Sequence, residues 1–140
     1  MKIEDLSTKN RKKPCKGCPF RRDNNLSGST PGGSEPEVYL GQARGPFWLP
    51  CHQDKNYDGK NSNPTKVGQC AGAAIFRSNT DTNKIPKELV YLEKDTNLVF
   101  ASPGEFLAHY KQIPLEIAEQ SCTEPVLNFY MLRELRKINY

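Results

Sequence analysis

Residues Pro14–Asp23 read PCKGCPFRRD, and the use made of the two cysteines decides what fold the first half of the chain can have. A C-x-x-C spacing lets two thiolates converge on one ion from a single turn. Two more cysteines follow as singletons, Cys51 in LPCH and Cys70 at the head of CAGAA, so that the order is C-x2-C-x32-C-x18-C. The first half is rich in glycine and proline and poor in apolar residues. A metal held by Cys15, Cys18, Cys51 and Cys70 would supply the cross-link that a small core there lacks.

Zinc accepts four cysteines, or three with a histidine, so His52 is an alternative ligand to Cys51 or a neighbour that orients it. A [4Fe–4S] cluster also takes four cysteines, and a proline directly after a ligand cysteine, as at Pro19, suits ferredoxin-like patterns. Ligand type alone leaves Zn2+ and the cluster both open. Cys122, remote from the set, reads as a small buried hydrophobe.

A second possible metal loop overlaps the third cysteine. Asp54, Asn56, Asp58 and Gly59 match the first half of a calcium loop, but the twelfth position is Thr65 rather than a bidentate glutamate. Calcium is therefore rejected in favour of a polar turn.

The chain has 140 residues, 36% hydrophobic and 9% aromatic, enough for one domain with a modest core. The charged start carries no apolar segment of the kind a secretory signal needs, and no run approaches a membrane span. An intracellular, reducing, cytoplasmic setting is expected, in which five cysteines favour ligation over disulfides. Residues 1–22 hold eight basic and two acidic residues, a net +6 in a chain of +4. Lys12, Lys13, Lys16, Arg21 and Arg22 thus form a candidate surface for nucleic acid or an acidic protein partner. A solvated tail is the plainer reading of the same charges.

Sequence patterning predicts a flexible basic arm over 1–13 and a single metal-binding domain over 14–140. The expected fold is α+β: a small metal-stapled domain, loop-rich in its first half and helical in its second. Helices are expected from Ser34 to Arg44, with Gly45 as the stop, and from near Cys70. Two more should start at Ser102, with a capping box to Glu105, and at Pro114. NLVFAS (97–102) reads as a strand, whereas PKELVYLEK (86–94) is undecided between helix and strand. The final segment, 123–140, carries Leu127, Tyr130, Met131, Leu135 and Ile138 on one helical face.

Taken together, PCKGCPFRRD, LPCH, CAGAA and SPGEFLAHY resemble an uncharacterised family of small bacterial and phage proteins with the pattern C-x-x-C-P-aromatic-R, C-H, C-x-G. The resemblance implies a metal-binding set at Cys15, Cys18, Cys51 and Cys70, and implies no activity. No catalytic triad, Walker loop or dinucleotide fingerprint is present.

The leading expectation is a non-enzymatic binding or regulatory module, with Phe20 and Trp48 available to add stacking or to pack around the metal. The alternative is an iron–sulfur protein in redox sensing or catalysis, its thiolates tuned by Arg21 and Arg22. A nuclease-like role through His52, Asp54 and Asp58 is a third, weaker reading.

Overall fold

The computed structural model describes residues 13–14, 18–24, 35–45, 47, 49, 69–82 and 92–138. Five helices account for 59% of them: α1 Pro36–Arg44, α2 Ala71–Asn79, α3 Pro103–Lys111, α4 Leu115–Ser121 and α5 Glu124–Ile138. There is no sheet among these residues, which corrects the expected α+β class. The extended pairing with both partners among these residues is the antiparallel bridge of Arg21 with Val99.

NLVFAS falls short of a strand for local reasons. The Asp95 carboxylate accepts the Asn97 and Leu98 amides and curls the chain just before it. Ser102 then caps α3 by accepting the Glu105 amide, so a helix begins immediately after it. Between these two punctuations there is room only for Arg22 N–H to Leu98 C=O, at 3.0 Å, and Phe100 N–H to Phe20 C=O, at 3.2 Å. Pro19 on the opposing segment cannot donate to a longer ladder.

The helices otherwise begin and end close to where the sequence places them. Pro36 opens α1 with its preset φ, Glu37 and Arg44 complement the helix dipole, and Gly45 closes it. The cap preceding Pro36 is Glu35, which makes no side-chain capping bond, while Ser34 lies outside the described residues. Cys70 caps α2, and Pro114 precedes α4. Of 86–94, only residues 92–94 are described, and they are not regular structure.

The core is aromatic. Phe106 is fully buried, with ring centroids of Phe20 at 5.2 Å, Tyr110 at 4.8 Å, and Phe76 and Phe100 at 5.8 Å. Rings from α2, α3 and the two extended segments therefore meet at one point, in the tilted and edge-on arrangements that their quadrupoles favour. Asn79, near the end of α2, accepts the Asp95 amide and donates to the Phe100 carbonyl, which fastens that extended segment to the core.

The most extensive helix–helix interface joins α1 to α5. Leu127 is buried in it, and Tyr130, Met131 and Leu135 are half-buried, in keeping with the expected apolar face. Gly41 allows the approach, because a Cβ there would lie 2.5 Å from the Tyr130 carbonyl oxygen. No helix among the described residues is long and apolar enough to cross a membrane.

Candidate metal centre

Cys18 and Cys70, 52 residues apart in sequence, bring their sulfurs to 3.6 Å in the interior. Both are buried and neither is in a disulfide. Each is held from a different side.

Cys70 sits at the N-cap of α2, where its sulfur accepts the Ala73 amide at 3.4 Å. The positive end of the helix dipole thus faces the sulfur. Its own amide donates to the Leu49 carbonyl at 2.8 Å, which draws the segment ahead of Cys51 alongside.

Cys18 opens a tight turn closed by Arg21 N–H to Cys18 C=O. Asn24 braces this turn by donating to the carbonyls of Pro19 and Arg21, at 3.2 and 2.6 Å. The Tyr110 hydroxyl also donates to the Pro19 carbonyl and accepts from Asn24. His109 Nε2 lies 2.9 Å from Asn24 Oδ1. Since that oxygen only accepts, Nε2 carries the proton. Burial holds His109 below the usual imidazole range and pushes the Tyr110 phenol up, so both remain neutral hydrogen-bonding groups at pH 7.

Gly72 explains the spacing within CAGAA. A Cβ at this position would collide with Cys18 Sγ and approach Phe20 Cβ at 3.1 Å. Glycine is needed here for space. Gly72→Ala is expected to force Cys18 away from Cys70, and to cost more stability in the metal-loaded than in the metal-free protein. Parallel urea titrations with and without zinc check this, and equal losses in both states would count against it.

Other expected site residues are placed less centrally or lie elsewhere. Cys15, Cys51, His52, Lys12, Lys16 and Trp48 lie outside the described residues, as do Asp54, Asn56, Asp58 and Gly59. Lys13 is exposed. Arg21 forms a two-pronged pair with Asp23, at 2.8 and 2.9 Å, which holds the Asp23 carboxyl below the usual range. Arg22 is similarly engaged with Glu105 and donates to the Thr96 carbonyl at 2.6 Å. Phe20 is a core residue, unavailable for stacking on a ligand. Cys122 is half-buried at the end of α4, and burial pushes its thiol up, away from the thiolate that ligation needs. Among the described residues no three His, Cys, Asp or Glu side chains gather as a metal site would require.

One residue of this region was passed over in the sequence. Arg77, in the otherwise apolar run AAIFRSN, is fully buried. Its Nε donates to the Ala43 carbonyl at 2.9 Å, and Nη2 donates to those of Gln42, Gly45 and Phe47 at 3.0, 3.0 and 2.7 Å. Nη1 has no partner. A lone arginine two turns after a candidate ligand on the same helix was the available signal.

Comparison with known protein families, with curated proteins and with solved structures finds no match to this chain.

Proposed function

We propose that the chain is a non-enzymatic binding module built around a single zinc ion held by Cys15, Cys18, Cys51 and Cys70, with the basic N-terminal segment as its contact surface. The observation that carries this reading is the 3.6 Å separation of the buried Cys18 and Cys70 sulfurs. With zinc–sulfur bonds of about 2.3 Å, the edge of a tetrahedral four-thiolate site is about 3.8 Å. A disulfide would need sulfurs at about 2.05 Å. A [4Fe–4S] centre puts each cysteine on its own iron, which keeps ligand sulfurs out of mutual contact and favours the single-ion reading here.

Covalent connectivity brings the other two ligands within range. Cys15 is three residues from Cys18, and Cys51 is two from Leu49, whose carbonyl is bonded to the Cys70 amide. At no more than about 3.6 Å per residue, neither tether can reach far from the sulfur pair. Zinc in such a site would do structural work, tying the N-terminal segment to α2 and to the segment before Cys51.

The partner is an anionic polymer, with nucleic acid the best fit to a net +6 over the first 22 residues. Arg21 and Arg22 are engaged by carboxylates, so contact with phosphates falls chiefly to Lys12, Lys13 and Lys16. The test is metal analysis and a visible spectrum on protein purified without oxygen, followed by duplex-DNA binding at two salt concentrations. A colourless sample with one zinc per chain is expected. Three phosphate contacts predict that affinity falls about 40-fold between 50 and 200 mM salt. A brown sample containing iron and sulfide, or metal-free protein with five titratable thiols, overturns the zinc reading. Salt-insensitive or absent DNA binding overturns the choice of partner.

A further inference from the structure

We infer that Arg77 is the built-in countercation and positioning residue of the cysteine centre, with its unpaired Nη1 reserved for the thiolates. This rests on the zinc–thiolate reading above. It adds a residue that the cysteine pattern does not contain.

The first ground is placement. Arg77 lies seven residues, about two turns, beyond Cys70 at the N-cap of α2, some 10 Å along the axis. Helical side chains lean toward the N-terminus, which carries the guanidinium back toward Cys70. Arg77 and Cys70 also grip one stretch of chain from two points. Arg77 holds the carbonyls of Gln42, Ala43, Gly45 and Phe47, and Cys70 holds that of Leu49. That stretch leads directly to Cys51.

The second ground is charge. Among the described residues no carboxylate pairs with Arg77, and its charge is met by carbonyl dipoles alone. A cation sealed from water in this way is costly unless a negative group lies near. Zn2+ with four thiolates carries a net charge of −2, which is costly to bury for the same reason. Each charge offsets the other. Burial lowers the guanidinium to about 10, and the opposing pull comes from the Cys70 sulfur. Arginine suits the task because its fork can bind carbonyls through Nε and Nη2 and still present two N–H groups on Nη1.

Two variants separate charge from clamp. Arg77→Lys keeps the charge and loses the fork, whereas Arg77→Gln loses the charge. Metal-free urea midpoints measure the clamp, and competition with a chromogenic chelator measures zinc affinity. Both variants are expected to lower the metal-free midpoint. Arg77→Gln should weaken zinc binding 10- to 100-fold, the range for groups that support metal ligands, and Arg77→Lys less than about fivefold.

Equal weakening in both variants, or affinity within threefold of wild type in Arg77→Gln, overturns the inference. Should neither variant fold, the wild-type guanidinium gives the answer by nitrogen–proton NMR. The Nη1 protons should shift downfield and exchange more slowly on zinc loading, and unchanged signals overturn the role. A wild-type protein that binds no zinc overturns the proposed centre itself, an outcome read before any variant is made.

Discussion

Cys70→Ser is expected to abolish tight zinc binding while leaving the metal-free protein as stable as wild-type apoprotein to within about 0.5 kcal/mol. Serine is a preferred N-cap, so the substitution keeps a side-chain acceptor for the Ala73 amide and removes only the thiolate. Cys70→Ala, by contrast, loses ligand and cap together and should cost a further ~1 kcal/mol even without metal. Free zinc at a thousand times its dissociation constant adds about 4 kcal/mol to the wild type and almost nothing to either variant. Thermal melts of all three proteins, with zinc and with chelator, give the comparison. If Cys70→Ser gains as much from zinc as the wild type does, Cys70 is not a ligand and the proposed centre fails.

Gly41→Ala should destabilise the fold by about 2 kcal/mol, although alanine in an isolated helix would be worth up to about 1 kcal/mol over glycine. The new Cβ would sit 2.5 Å from the Tyr130 carbonyl oxygen and 2.7 Å from its carbon, both backbone atoms that cannot rotate aside. Relief requires α1 and α5 to move apart along the most extensive interface between helices. Arg44 would also lose register with Asn128 and Glu124 on α5. A melting temperature lower by about 5–10 °C is the expected reading. An unchanged or raised value would mean that the helices do not cross this closely.

Sequence patterning made the helices legible because their punctuation is local. Pro36, Ser102 and Pro114 act on the backbone within a turn, and Gly45 stops α1 in the same way. NLVFAS does not form the expected strand: its apolar content reports burial, and Val99 and Phe100 are buried without a ladder. Pairing depends on how much unpunctuated chain lies on both sides, and Pro19, Asp95 and Ser102 leave almost none.

That Cys18 and Cys70 belong together followed from spacing and chemistry, and their sulfurs lie 3.6 Å apart. The roles of Gly72 and Arg77 did not, because each depends on a partner remote in sequence. Gly72 is defined by a sulfur from position 18, and Arg77 by carbonyls from 42 to 47. Arg22 shows the same blindness from another direction. It counts as part of a basic patch in the sequence, yet Glu105, 83 residues away, takes up its charge.

Phe20 has a consequence for how the protein comes into being. Its ring packs against those of Tyr39, Phe76 and Phe106, and Phe106 is the last of these to be made. At roughly 5–20 residues per second, that partner is made some 4–17 s later. Until then the aromatic cluster around Phe20 is incomplete. Its closure therefore waits on α3, which carries Phe106.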